Sequence, residues 1–332
     1  MKKYLVIQTA FIGDVILATA VIEKLHRFDK DAQIDVLVRK GNESLLSDHP
    51  FIHTCFVWDK KENKYSGLLK LVSSIRAAGY EAVINLQRFA ASGFITVFSG
   101  AKEKIGFDKN PMSFLFTKSI PHKIGSLVKH EGHEVERCLK TIEHLTDGSY
   151  QAPKLYPSEK DFSVIAKYSQ GDFVTISPAS VWFTKQTPAK VWSDLISSSP
   201  AEKFYLLGSP ADRQLCENIA GTNKNVEVLA GSLSLLQSAA LMSKAKMNFT
   251  NDSAPMHLCS AMNAPVTAVF CSTIPEFGFG PLSENAAVVQ SRLNLPCKPC
   301  GIHGYNACPK AHFDCGKILN QDLTTRITFK SV

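Results

Sequence analysis

The feature that most constrains this chain is a repeating alternation of short, predominantly apolar segments with longer stretches of helical spacing. Apolar runs without polar alternation read as strands buried on both faces, which occur in parallel sheets covered by helices. In the first half, residues 4–7, 34–38 and 82–86 read as strands, and residues 15–26 and 68–78 as helices. Around residues 150–161 the pattern gives way to polar sequence holding Pro153 and Pro157, the composition of a linker. The alternation then restarts, with strands at 173–177, 204–207, 226–229, 247–250 and 266–270, and helices at 192–197, 233–243 and 256–262. This pattern predicts an α/β chain of two doubly wound domains, residues 1–155 and 156–332, in accord with a length of 332 residues. The last stretch, 318–332, reads as a terminal helix packing back on the first domain. Ligands of open α/β sheets bind at the carboxyl ends of strands, so the expected site is a central cleft between two facing domains.

Composition narrows the class of function. Apolar residues make up 45% and charged residues 20%, the balance of a soluble globular protein. The formal charge of +7 is modest for this length, and no dense Lys/Arg run with interleaved aromatics is present. Nucleic acid is therefore not an expected partner, whereas an acidic small ligand or an acidic acceptor at a membrane surface is. Lys2 and Lys3 precede an apolar stretch, but Gln8 and Asp14 interrupt it, and no other segment approaches the roughly 20 residues of a membrane helix. A cytoplasmic protein with peripheral membrane contact at most is expected.

Four segments that follow strands carry the candidate chemistry. After the first strand, Gly13 permits a tight strand-to-helix turn and Asp14 opens the helix. Asp14 reads equally as a helix N-cap and as a general base for a hydroxyl. No G-x-G-x-x-G pattern follows, which disfavours an NAD site. Thr250-Asn251-Asp252-Ser253-Ala254-Pro255-Met256-His257 combines capping residues with a first-turn proline, and a helix N-terminus of this kind suits a diphosphate. There Asp252 can accept from sugar or ribose hydroxyls and His257 can reach a phosphate oxygen. In the segment from Ser177 to Lys185, the Ser, Thr184 and Lys185 groups can hold a pyrophosphate, with Lys185 offsetting charge on a leaving group. Gly208 and Gly231 mark further strand-to-helix turns on the same side.

Taken together these segments resemble the heptosyltransferase family of lipopolysaccharide assembly, glycosyltransferase family 9. The resemblance rests on I-G-D-V-I-L-A-T, S-P-A-S with T-K following, L-A-G-S-L-S-L, N-D-S-A-P-M-H and a Cys-rich tail, in this order along nearly the whole chain. It implies the two-domain GT-B fold and an inverting, metal-independent transfer of heptose from ADP-heptose to an anionic glycolipid acceptor. It further implies Asp14 as catalytic base, Lys185 on the donor phosphates, and Asp252 on the donor sugar or ribose. Ser253, Ala254 and His257 fall at the diphosphate, with Ser177, Thr184 and Gly208 also on the donor side and Gly13 and Lys104 on the acceptor side. Three departures from the family pattern stand out: Ala254 where Gly is commoner, with Pro255 beside it removing one possible N–H donor, Thr187 in place of an aromatic, and Lys104 in place of Arg. Two alternatives stay open, a family-9 transferase using a UDP- or GDP-sugar and a non-catalytic nucleotide-sugar-binding partner.

Nine cysteines are present, and four of them, Cys297, Cys300, Cys308 and Cys315, fall within nineteen residues beside His303 and His312. Four thiols, or three with an imidazole, make a chemically reasonable structural zinc site. The spacing C-x2-C-x7-C-x6-C is not a standard doublet pair, so reduced structural thiols are the first expectation, ahead of zinc, with disulfides or another cluster as the third. In each case the cluster is assigned to stability.

Overall fold

A computed structural model describes residues 1–60, 64–129 and 131–328. The chain forms two units, Met1–Ile124 with Gly132–Tyr156, and Gly125–Glu131 with Pro157–Val332. Each is built around one six-stranded, all-parallel sheet.

In the first unit, strands β1 (Lys3–Ile7), β2 (Gln33–Arg39), β3 (Ile52–Trp58), β4 (Ala82–Asn85), β5 (Glu103–Phe107) and β6 (Lys118–Ile120) lie in the order 3-2-1-4-5-6. Helices α1 (Ile12–Phe28), α2 (Lys64–Ala78), α3 (Ala90–Phe98) and α4 (Glu134–Lys140) complete it. The central strands β1 and β4 are buried almost throughout, which is why their sequences are continuous apolar runs. Leu5, Ile7, Leu37, Trp58, Ile75, Tyr80, Val83 and Ile95 form one core. Helix α1 is buried from Val15 to Leu25, including Glu23 and Lys24. Lys24 is tolerated there because it pairs with Asp147 and donates to the Ser149 carbonyl.

The second unit repeats the topology. Helix α5 (Glu159–Ile165) leads into β7 (Val174–Ser177), α6 (Ala189–Ser197), β8 (Phe204–Leu206), α7 (Arg213–Ala220) and β9 (Val226–Val228). Then come α8 (Leu235–Lys244), β10 (Met247–Asn251), α9 (Ala254–Ala261), β11 (Val266–Val269), β12 (Ala286–Val289) and α10 (Asn320–Thr328). The sheet order 12-11-10-7-8-9 is the same doubly wound pattern, with β7 and β10 side by side at its switch point. Capping boxes at Ser158 with Asp161 and at Ser234 with Gln237 fix the starts of α5 and α8. Trp192, fully buried, centres a core with Val174, Ile176, Phe204, Phe249 and Leu323.

Two sequence expectations are corrected. The terminal helix packs into the core of the second unit. Leu323 and Ile327 of α10 are buried in the Trp192 core and α10 lies against α6, with its apolar residues turned inward. Residues 329–332 of that predicted helix lie outside the described residues. Gly13 is the second residue of α1, so the strand-to-helix turn is made by the preceding residues 8–11 and not by glycine freedom at Gly13. Among the described residues no helix is long and apolar enough to cross a membrane.

Candidate active site

In the first unit the carboxyl ends of β1 and β4 meet at a polar cluster. Gln87 Nε2 donates to Gln8 Oε1, and the Gln87 amide donates to Asn85 Oδ1 at 2.9 Å. Lys60 Nζ donates to the Thr9 carbonyl at 2.8 Å, and the Arg39 guanidinium lies over the Phe11 ring, 4.8 Å from its centre. These groups frame the start of α1. Phe11 is the N-cap and offers no side-chain bond, so Asp14 is not the cap itself. Asp14 stands half-buried at the third helical position, and its carboxylate accepts from the backbone amides of Phe11 and of Asp14. That is the reaching-back half of a capping box. Burial pushes the Asp14 carboxyl up to about 6, and the charge of Glu134 pushes the same way. The two amide bonds and Arg39 act against that rise without cancelling it.

Glu134 was not legible as a site residue. It is the first residue of α4 and is buried, which alone would raise its carboxyl. Its bonds to His122 Nε2 at 3.0 Å and Arg137 Nε at 2.6 Å overcome that cost and hold it below the ordinary range. A fixed negative charge is therefore maintained beside Asp14. Lys104 sits on β5 in register with Val83, two residues short of Gly106, where β5 pairs with Asn85 at the strand end. Its backbone is tied to Thr117, whose hydroxyl accepts from the Lys104 amide at 2.7 Å.

In the second unit the predicted donor residues converge. Lys185 Nζ is 2.7 Å from Asp252 Oδ2, and Thr273 Oγ1 donates to the same oxygen at 2.6 Å. Asn251 joins the two segments behind this pair: its Oδ1 accepts from the Thr187 amide at 2.9 Å and its Nδ2 donates to the Pro178 carbonyl at 2.7 Å. Thr187, where the family pattern has an aromatic, is buried in that junction, with Cys271 Sγ 3.7 Å from its hydroxyl. Ser177 and Thr250 face each other in register on β7 and β10, and among the described residues neither buried hydroxyl has a hydrogen-bond partner.

Ser253 is the N-cap of α9 in extended conformation, with its hydroxyl turned to the Asn251 carbonyl at 3.4 Å rather than into the helix. Pro255 brings no N–H, and Ala254 is half-buried beside it. The first turn of α9 is thus left without a side-chain cap, the arrangement in which a helix start receives an anion. His257, in the first turn and a half of α9, is buried. The turns at Gly208 and Gly231 are adjacent, the Gly231 amide donating to the Gly208 carbonyl at 2.9 Å. A Cβ on Gly208 would lie 2.9 Å from that of Asp212, and one on Gly231 2.9 Å from Pro210 Cα, so both turns require glycine.

The thiols of Cys297, Cys300, Cys308 and Cys315 are free and near enough to raise one another's charge cost. Cys297 Sγ is 3.7 Å from His312 Nε2. Among the described residues no group of three or more His, Cys, Asp or Glu side chains is disposed to hold a metal ion.

Comparison with known proteins decides the family. The sequence model of glycosyltransferase family 9 (heptosyltransferase) matches residues 68–305. The chain belongs to glycosyltransferase family 9. It is 26% identical over 284 residues to lipopolysaccharide heptosyltransferase 3 of Escherichia coli, covering 79% of this chain and 82% of the relative. The solved structure of E. coli ADP-heptose lipopolysaccharide heptosyltransferase II superposes with a TM-score of 0.78 at 22% identity, over 98% of this chain and 97% of the other. That of E. coli heptosyltransferase WaaC with ADP gives 0.70 at 19% identity, over 86% and 92%. The fold is accordingly GT-B, two Rossmann-like domains, and the chain is a glycosyltransferase.

Proposed function

We propose that this family-9 transferase moves heptose from ADP-heptose onto an anionic lipopolysaccharide-core acceptor by a single displacement with inversion. Asp14 takes the proton of the acceptor hydroxyl, and that oxygen attacks the anomeric carbon opposite the diphosphate. Lys185 and the uncapped start of α9 receive the negative charge that grows on the departing ADP. Asp252 holds Lys185 in place and offers its carboxylate to ribose or sugar hydroxyls. Arg39 and Lys60, close to the Asp14 turn, supply positive charge for an acidic acceptor. The reading places the protein in the cytoplasm at the inner face of the membrane that carries its acceptor, and it gives no metal a part in the chemistry.

The observation that carries this reading is the state of Asp14. A carboxyl held near 6 at a strand-to-helix turn ionises within reach of neutral pH and keeps enough basicity to accept a proton. An Asp14→Asn variant should retain ADP affinity in calorimetry and lose about 10²-fold or more in turnover with ADP-heptose. Near-normal turnover would remove Asp14 from the role of base.

A further inference from the structure

The Cys-rich segment 297–315 touches the donor site through its backbone. The Thr184 amide donates to the Tyr305 carbonyl at 3.0 Å, and the Tyr305 amide donates to Thr184 Oγ1 at 2.8 Å. Thr184 is buried, and Ser272 Oγ donates to the same hydroxyl at 3.0 Å. The Cys300 amide in turn donates to the Ser272 carbonyl at 2.8 Å. Gly304 is buried at φ +78°, and a Cβ there would stand 3.0 Å from Lys185 Cγ and 3.3 Å from Trp182 Cβ. Further along, the Phe313 ring leans on Phe183, 5.1 Å between centres. The short turn Phe183–Lys185 is therefore held by two stretches of the Cys-rich segment, and the Lys185 stem runs directly over the Gly304 backbone.

We infer that the Cys-rich segment is a positioning element of the donor site, with Gly304, Tyr305 and Thr184 fixing where the Lys185 ammonium stands. The inference rests on the donor-phosphate reading of Lys185. Its mechanical basis is simple. A lysine has four rotatable bonds, and an ammonium that must meet a diphosphate gains from having the first of them fixed by packing. Asp252 and Thr273 fix the far end of the side chain, while Gly304 leaves room for its stem. The thiols then matter to the site by setting the path of the segment, and none of them need touch the donor.

The test is an ADP titration by calorimetry on the full chain, with folding followed by thermal melting. Four variants are compared: Lys185→Ala, Gly304→Ala, Thr184→Val and Thr184→Ser. Gly304→Ala and Thr184→Val should each weaken ADP binding about tenfold, while Thr184→Ser, which keeps the hydroxyl that Tyr305 and Ser272 address, should stay within about twofold of wild type. Rescue by serine separates positioning from a general loss of fold, and a Thr184→Val protein that melts like wild type yet binds weakly makes the same point. If Lys185→Ala loses ADP while Gly304→Ala and Thr184→Val bind it normally, the positioning role is wrong and the donor reading survives. If Lys185→Ala binds ADP like wild type, the donor reading fails and takes this inference with it.

Discussion

Lys185 and Asp252, sixty-seven residues apart in sequence, meet at 2.7 Å with their side chains only 14% and 7% exposed. Neither charge is there for stability alone, since a buried ion pair rarely gains more from Coulomb attraction than it loses in desolvation. A third segment joins the pair: Thr273, in the loop after β11, donates to Asp252. Three loops at the carboxyl end of one sheet thus hold one ammonium.

Removing one partner should expose the cost. Asp252→Ala leaves the Lys185 charge uncompensated and should lower unfolding stability by about 3 kcal/mol. Asp252→Asn combined with Lys185→Met, which deletes both charges but leaves Thr273 an acceptor, should recover most of that loss. Urea denaturation of the three proteins measures it, and an Asp252→Ala midpoint equal to wild type would show that the pair is not held as the distances indicate.

Asp14 predicts the acid limb of activity. Only the ionised carboxylate can accept the acceptor proton, so kcat/KM should rise with pH through an apparent value near 6 and level off above 7. The limb belongs to Asp14 because Glu134, held low by His122 and Arg137, stays ionised throughout that range. A profile flat from pH 5 to 8 would contradict the assignment.

The legible and illegible parts of the structure divide for physical reasons. Strands β1, β4, β7 and β10 are buried on both faces, and their apolar runs announce them. Strand β3 does not: it is mostly half-buried with His53 and Val57 exposed, and His53 and Thr54 dilute its apolar character. Helix α3, with the sequence AASGFITVF, is short and almost wholly apolar, so its sequence reads as readily as a buried strand. Asp14, Lys185 and Asp252 were legible because they follow strands in polar, turn-forming sequence. Glu134 was not, because its relation to Asp14 is a contact across the fold from a helix with no motif of its own. Tyr305 and Gly304 meet the Phe183–Lys185 turn through backbone atoms, which carry no side-chain signature in the sequence.

Asp14 should also leave a mark on stability, with the sign opposite to that of a salt-bridged carboxylate. Between pH 4 and 6 the folded protein keeps a proton on Asp14 that the unfolded chain, at its ordinary value of 3.8, has released. Folded protein therefore binds more protons than unfolded in that window, and stability falls as pH rises through it. Asparagine stays neutral at all pH values, so Asp14→Asn should be more stable than wild type by about 2 kcal/mol at pH 7.5, the gain closing toward pH 4. Denaturant midpoints at the two pH values check it, and a variant less stable than wild type at pH 7.5 would mean that the buried charge is compensated.

His49 should set a second, acid-side dependence in the first unit. It is buried, 3.4 Å from Glu23 Oε1, with its ring edge-on to Phe51 and to Tyr156, whose hydroxyl also donates to Glu23 at 2.9 Å. Burial pushes the imidazole down to about 4, and the charges of His26 and Lys154 act in the same direction. The unfolded chain takes up this proton near 6.5 and the folded protein only near 4, so stability is fully present above 6.5 and is lost as pH falls between those values. His49→Phe keeps the aromatic packing and cannot be protonated. Its unfolding free energy should fall less steeply than that of wild type between pH 6.5 and 5, above the range where most carboxylates titrate. Equal slopes for the two proteins in that interval would show that His49 accepts its proton in the folded state as readily as in the unfolded one, and that the Glu23–Tyr156 pair does not need it neutral.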